Sequence, residues 1–476
     1  MAVSRRETLR VAVVGGGVAG LAAAEAVRAG GNAAEIFEAG PALGGRIAPE
    51  TLGEREICLG GKNVGRRYTR FRELLARRGH GDYELFGPDS AQLVRGRVRT
   101  LSFRSPSMRA RLGSRLVARG QVGGGMRFMQ LAGQVRRHPA SGFVGDPFFA
   151  DLATRTGDPT LPEYLGTVMC RGVMRHVTVR MNAAEPDECH AGNLGSNLAL
   201  VVDRFDQLTG AGFGPWIREV AADHVTHAAT PVAGLALDGG RVGSVVTADG
   251  AAHDGFDGVV LAVPARQAAR VVWRLDPELA SLLGTVRYFP VGVVVAEYDR
   301  PAFGQRFAAL AAPAGMALSN AGSYGLQARH VVRYTFSGRA ARGRVEPDTF
   351  DPEALLHEAE GFLGRHAPVA QARRVRFSAR AFDPGLCAYR RDHAALLRET
   401  TARLGALPGL ALAGDYVRGA SLEACARSGQ EAAARALAGA ALAKADGLGD
   451  GTLEAAAEWT GTAMSSGWEP RWRAAS

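Results

Sequence analysis

Three glycines, Gly15, Gly17 and Gly20, stand in GxGxxG spacing immediately after the apolar run Leu9–Val14. That run is short and rich in β-branched residues, the pattern of a buried strand. The Ala-rich stretch Val18–Arg28 that follows reads as a helix, and Ala34–Glu38 as a second strand ending in an acid. Together they spell a βαβ unit for a dinucleotide. The glycines allow a tight turn, close approach of a pyrophosphate to the backbone and close helix–strand packing. The helix N-terminus offers N–H groups and a favourable dipole, and Glu38 is placed to accept hydrogen bonds from ribose hydroxyls. Strand, helix, second strand and acid fall in the required order, which a chance glycine-rich turn does not explain. An α/β fold is therefore expected.

The chain has 476 residues, and at roughly 150 per domain this predicts two or three structural units. Hydrophobic residues at 46% and charged residues at 22% exclude a disordered or fibrous chain. The longest weakly apolar run, Val11–Ala24, spans 14 residues and is too short and glycine-rich to cross a bilayer. The cysteines (58, 170, 189, 387 and 425) are odd in number, widely spaced and without a CxxC pair. Neither a disulfide framework nor a metal site is expected, and a reducing cytoplasmic setting is. Ser4–Arg10 ahead of an apolar run is similar to a twin-arginine export signal. Cleavage there would remove the glycine pattern, so export is not expected.

Charge is unevenly spread. Lys plus Arg exceed Asp plus Glu by 57 to 47, a net +10. Between Ser90 and Gly145 there are eleven Arg and no Asp or Glu, which leaves −1 for the rest of the chain. Such a block attracts acidic substrates, an acidic carrier protein or anionic lipid, which would allow peripheral membrane contact through 90–145. The plainer reading is a solvated helical face. Lys62 and Lys444 are the only lysines, so basic residues here are almost always Arg, and no nucleic-acid motif accompanies them.

After Glu38 the chain reads Ala39-Gly-Pro-Ala-Leu-Gly44-Gly45-Arg46. An acid, a short loop and Gly-Gly-Arg resemble the flavin-containing amine oxidase superfamily, which includes monoamine oxidases, protoporphyrinogen oxidases and phytoene-desaturase-type enzymes. The resemblance implies FAD as cofactor. The loop through Ala39, Gly44 and Gly45 would wrap it, with Arg46 near the pyrophosphate, where a guanidinium neutralises charge. Cys58-Leu-Gly60-Gly61-Lys62-Asn63-Val64-Gly65 is similar to the family's segment along the isoalloxazine ring, with Cys58 where an acid is common. The strand-like runs 231–238, 241–247 and 256–264 resemble its second cofactor segment, in which the Val232 backbone would pair with adenine. Leu410–Tyr416 followed by Ala420–Gly429 resembles its C-terminal signature. There Asp415, after Gly414, would bind a ribityl hydroxyl. The N–H groups around Ser421 and Leu422 would face the flavin C2 carbonyl and stabilise negative charge on the reduced ring.

These segments imply a discontinuous Rossmann-like FAD-binding domain at 1–85, 215–265 and 380–445. An α+β substrate domain at 86–214 and 266–379 is inserted into it, and a tail follows at 446–476. The strand that would carry an amine oxidase's lysine, Tyr288–Pro301, has none, and Ser421 stands where an aromatic-cage Tyr is usual. Val286–Pro290, Glu297–Pro301 and Leu386–Tyr389 with His393 look more like protoporphyrinogen-oxidase relatives. The implied chemistry is two-electron dehydrogenation, with hydride passing from C–H to flavin N5. The expected substrate is a moderately hydrophobic small molecule of specialised biosynthesis or porphyrin metabolism, which the basic block 90–145 would steer were it acidic or carrier-bound. An amine oxidase with an atypical pocket and a non-catalytic FAD-binding scaffold are the alternatives, and Gly44-Gly45-Arg46 argues against a flavin monooxygenase. Lys62 and Tyr389 are the substrate-side catalytic candidates, His393 a candidate base and Cys387 a candidate for covalent flavin attachment. Three have a structural alternative: a solvated or structural Lys62, a packed Tyr389 and a satisfied helix His393.

Overall fold

The computed structural model describes residues 8–445, apart from 87–89, 95, 103–104, 211, 304–308, 326–327 and 367–370. The proposed tail at 446–476, and Arg95 and Arg104 of the basic block, lie outside the described residues. Its centre is a parallel five-stranded sheet in the order Val225–His227, Ala33–Phe37, Arg10–Val14, Gly258–Leu261, Leu410–Leu412. Strands from three distant parts of the chain thus lie side by side. Val11 to Val14 are buried on both faces, which is why the strand is continuously apolar rather than alternating.

The helix Val18–Ala29 packs on this sheet beside the long C-terminal helix Leu422–Ala445, which itself lies against the strand Gly258–Leu261. Both present small residues, Ala19, Ala22 and Ala23 against Ala426 and Ala433. A Cβ added at Gly429 would lie 2.0 Å from the Ala19 carbonyl oxygen, so the backbones touch there. An antiparallel meander, Val232–Asp238, Arg241–Thr247 and Ala252–His253, covers the other side.

The second sheet has seven strands. Its order is Arg374–Cys387, Tyr288–Tyr298, Val331–Phe336, Leu318–Ser323, Ala309–Ala311, Ser90–Val94, Arg97–Thr100, antiparallel except where Ala309–Ala311 meets Ser90–Val94. One face packs on the helix Pro352–Gly364. The other carries Val291, Val293, Val295 and Val331 toward Leu52, Ile57 and Leu59. Two expected boundaries move. The strand Arg374–Cys387 runs through position 380 and belongs to the second sheet. Phe205–Leu208, expected in the substrate domain, pairs with Val64–Gly65 and Tyr83–Leu85. Sequence pattern marks strands, but their sheet membership is set by partners far along the chain.

Most of the described part of the basic block forms the helices Pro106–Ala118 and Val122–Arg137. Their inner faces bury Met108, Leu116, Phe128 and Leu131, while Val117 and Met129 stand exposed among the arginines. Among the described residues no helix is long and apolar enough to cross a membrane.

The Ala19–Gly429 contact gives a first test. Gly429→Val should lower stability by about 2–3 kcal/mol, seen as a reduced urea midpoint at unchanged slope. An unchanged midpoint would mean that the two helices do not meet at this point.

Candidate functional site

The glycine loop sets the first part of the site. Gly15 has φ +102°, and a Cβ there would fall 2.7 Å from the Ala262 carbonyl oxygen, so a side chain is excluded twice over. A Cβ at Gly20 would lie 1.8 Å from the Gly15 carbonyl oxygen, where helix and loop touch. Gly17 is the N-cap of the helix and no side chain caps it. The first-turn N–H groups therefore keep their donor capacity. Glu38 accepts from Gly16 N–H at 2.8 Å and from Gly40 N–H at 2.7 Å, one bond per oxygen. An ionised carboxylate can accept about four, which leaves room for two hydroxyls. The N–H groups of Thr230 and Ala229 bond the Glu38 and Gly40 carbonyls and bring Val232 to the same end. Ala39 lies there too, exposed.

A strip of close approaches leads away from this loop. Gly45 packs on Gly17, where its Cβ would be 3.2 Å from the Gly17 Cα. Gly44 packs on Ala48 in the same loop. Gly60 sits directly on the Arg46 carbonyl, and Gly61 faces Leu422, 3.8 Å from a Cβ that it lacks. Leu422 opens the C-terminal helix, whose first turn is capped by Ser421 Oγ accepting from Ala424 N–H at 3.1 Å. The structure thus brings the predicted residues of the first and last segments into one continuous line, from glycine loop to helix head.

At the middle of this line sits Asp415, buried just after Gly414. Arg46 Nη1 donates to its Oδ2 at 2.8 Å and to the Gly385 carbonyl at 2.7 Å. Tyr288 OH donates to its Oδ1 at 2.7 Å, and Tyr389 OH to its backbone oxygen at 3.0 Å. Burial alone would lower the Arg46 pKa; the Asp415 charge outweighs it and raises the guanidinium above its ordinary value. The Tyr288 hydroxyl is pushed well up by burial and by the same carboxylate.

Beside the helix head lies a cavity of about 290 Å³, walled by Tyr68, Asn182, Asn197, Tyr389, Ser421 and Arg427 among others. Tyr389 forms part of this wall with φ +27°. Its hydroxyl is committed to Asp415 and is pushed well above its ordinary pKa by burial, so it positions rather than transfers protons. His393 takes its structural alternative, a satisfied helix residue, rather than that of a base. It is buried, bonded through Nε2 to the Tyr416 carbonyl at 2.8 Å, and pushed down to about 4 by desolvation.

Lys62 likewise takes the structural alternative and is not among the residues that wall this cavity. It lines a second one of about 320 Å³, donating to Gln207 Oε1 and the Tyr324 carbonyl, with Nζ 3.7 Å from the Phe86 ring centroid. Desolvation, reinforced by the Arg333 charge, drives its amine well below the usual lysine range. The Cys387 thiol is buried in the core, raised well above its ordinary pKa by burial, and lines neither cavity. Glu35, His227 and His253 bring side-chain ligand atoms within 4.8 Å of one another, but Arg10 already shares the Glu35 carboxylate.

Sequence reasoning missed several residues. Tyr288 and its bond to Asp415 depend on a tertiary contact. Glu423 lies in the first turn of the C-terminal helix and accepts from Phe71 N–H at 2.9 Å, capping the helix Thr69–Ala76. Arg333, whose guanidinium donates to the Gly60 carbonyl, was hidden among many arginines. The one available signal was Arg333 standing inside the apolar run Val331–Phe336.

Residues 18–437 match the family model described as flavin-containing amine oxidoreductase. Among solved structures, a putative protoporphyrinogen oxidase from Exiguobacterium sp. 255-15 superposes with TM-score 0.64 at 18% identity, covering 90% of this chain and 98% of that one. Cyclohexylamine oxidase from Brevibacterium oxydans IH-35A gives TM-score 0.69 at 19% identity, covering 92% and 100%. A CLA-producing fatty acid isomerase from P. acnes gives 0.65 at 14%, covering 91% and 99%. At these identities the structural likeness establishes the fold.

Two outcomes follow from the Asp415 and His393 contacts. Asp415→Ala leaves Arg46 and Tyr288 without their partner and should cost about 2–3 kcal/mol in denaturant unfolding, the buried-pair penalty reduced because Arg46 is partly open to solvent. Tyr288→Phe should cost only about 1 kcal/mol. If the two variants matched the parent protein, the network would be incidental. For His393, the folded pKa of about 4 lies below the unfolded value of about 6.5, so the unfolded chain takes up more protons on acidification. Stability should be full above pH ~6.5, fall by up to about 3 kcal/mol toward pH ~4, and level off below. His393→Gln should flatten that slope in pH-dependent urea unfolding, and an unaltered slope would contradict the assignment.

Proposed function

The chain belongs to the flavin-containing amine oxidoreductase family, it is an FAD-dependent oxidoreductase, and from that premise we propose that it dehydrogenates a C–H bond of a moderately hydrophobic metabolite. The observation that carries this reading is the unbroken line from Gly17 through Gly45, Arg46 and Gly60 to Leu422, which ends at a partly enclosed cavity.

The residues present fit FAD. No atom lies within 4 Å of a Cβ built at Gly17, and Gly61 meets only the far end of Leu422. The space that side chains would fill is left for a ligand along that edge. Asn63, in the same segment, has a buried Oδ1 without a hydrogen-bond partner in the described structure. We assign the ribose to Glu38, the adenine edge to Val232, the pyrophosphate to the N–H groups following Gly17 together with Arg46, and the ribityl chain to Asp415.

Bound FAD supplies a two-electron acceptor that takes hydride from a substrate C–H bond. The chain does the rest. Leu422 and its neighbours at the helix N-terminus aim N–H groups where negative charge develops. Val291, Val293 and Val331 keep their face of the second sheet apolar, and a dry wall strengthens every fixed dipole near it. Tyr389 is held rigid by Asp415 and shapes the cavity. Hydride loss from a neutral amine leaves a protonated imine whose N–H proton passes to water, so no side-chain base is needed for such a substrate. The basic helices at 106–137 would attract an acidic substrate toward the molecule, supported by the absence of Asp and Glu between Ser90 and Gly145.

Anaerobic mixing of the holoenzyme with a panel of amines, amino acids and cyclic dihydro compounds tests the proposal. At least one should bleach the visible flavin bands without a nicotinamide cofactor. Rapid bleaching by NADPH would point instead to a monooxygenase. A flavin reduced by dithionite but by no organic donor would point to a non-catalytic scaffold.

A further inference from the structure

The helix Val122–Arg137 is apolar on two opposite sides. Its inner side buries Phe128, Leu131 and Val135. At helical spacing Val122, Met126 and Met129 fall on one stripe, and that stripe points the other way. Met126 is 59% exposed and Met129 64%. Val117, in the last turn of the helix Pro106–Ala118, is 70% exposed. Single exposed hydrophobic residues are ordinary on a protein surface. Here four of the nine large ones exposed among the described residues fall between positions 117 and 129, so scatter does not account for them.

The charge around the stripe has one sign. Arg136 and Arg137 follow it on the same helix, and Arg115 and Arg119 stand at the end of the preceding one, all exposed. Between Ser90 and Gly145 there is no Asp or Glu, and none of these four arginines makes an ion pair among the described residues. The charges crowd one another: burial, then the Arg115 and Arg99 charges, lower the pKa of Arg111.

Stripe and charge together select a partner. A solvated face accounts for the arginines but not for an ordered row of Val122, Met126 and Met129. A nucleic-acid backbone answers the charge and leaves the row wet. The interface of an anionic bilayer answers both, because the acyl boundary takes the apolar side chains while the guanidiniums stay among the phosphates. Methionine, unbranched and pliable, suits a surface without fixed shape.

We propose that the outer stripe of the helix Val122–Arg137, with Val117 and the arginines around it, docks the protein on an anionic lipid bilayer. The inference goes beyond the dehydrogenase reading and does not rest on it. The inner side of the same segment borders the cavity beside the C-terminal helix. Val135, Pro139 and Ala140 line that cavity, and Arg67 on its wall donates to the Arg136 carbonyl at 2.9 Å. A bilayer on the outer side would therefore stand about one helix diameter, roughly 10 Å, from the cavity wall.

Co-sedimentation of the holoenzyme with vesicles tests the proposal, using phosphatidylcholine alone and an equal mixture of phosphatidylcholine and phosphatidylglycerol. The parent protein should bind the mixed vesicles at least roughly tenfold more tightly than the neutral ones. Replacing Met126→Ser and Met129→Ser together should weaken binding to the mixed vesicles by roughly tenfold, and so should Arg136→Gln with Arg137→Gln. Val225→Ser removes a side chain that is 60% exposed elsewhere on the molecule and should leave binding unchanged. All these side chains are exposed, so the flavin spectrum and urea midpoint of each variant should match the parent's. Failure to bind the mixed vesicles, or full affinity in either double variant, would overturn the docking surface. A parent protein that ignores both vesicles but binds polyglutamate would assign the face to an acidic protein and overturn it equally.

Discussion

One buried carboxylate holds the architecture together. Asp415 comes from the end of the chain, Arg46 from its beginning, and Tyr288 from the first long strand of the second sheet. A buried charge is tolerable only when its partners are in place. The last strand of the first sheet, the Gly44–Arg46 loop and the strand Tyr288–Tyr298 must therefore dock together. The cofactor cradle and the junction between the two sheets are consequently one feature, and Tyr389, bonded to the Asp415 backbone, carries that rigidity to the cavity wall.

The junction between the two sheets is dry. Val291, Val293, Val295 and Val331 pack there on Leu52, Ile57 and Leu59, so water is kept from one side of the cofactor segment. The basic helices stand apart from this junction, where their charge acts over longer distances and is screened by salt.

Much of this was legible in the sequence because it is local. The loop from Gly15 to Gly20, the acid at Glu38 and the Gly44-Gly45-Arg46 run state their geometry in adjacent residues, and the strands and helices around them appear within a residue or two of where the pattern puts them. Asp415 and Leu422 were legible for the same reason. What depends on facing was not. Lys62 sits in the expected segment, but its side chain turns to Gln207 and Tyr324. His393 follows the expected Tyr and is sealed behind it. The strand Arg374–Cys387 reads as a strand, but only its pairing with Tyr288–Tyr298 assigns it to the second sheet. Arg333 could have been noticed as a charge in an apolar strand.

The central claim is that segments far apart in sequence build one cradle for FAD along the edge left open at Gly17. The most direct measurement is a titration of deflavinated protein with FAD, followed by quenching of flavin fluorescence, for the parent chain and for Gly17→Leu. A Cβ at Gly17 meets no atom within 4 Å, so the variant should fold normally while its side chain occupies the pyrophosphate position. The account predicts saturable binding of one FAD per chain, lost in the folded variant. Equal FAD affinity in both proteins would contradict it.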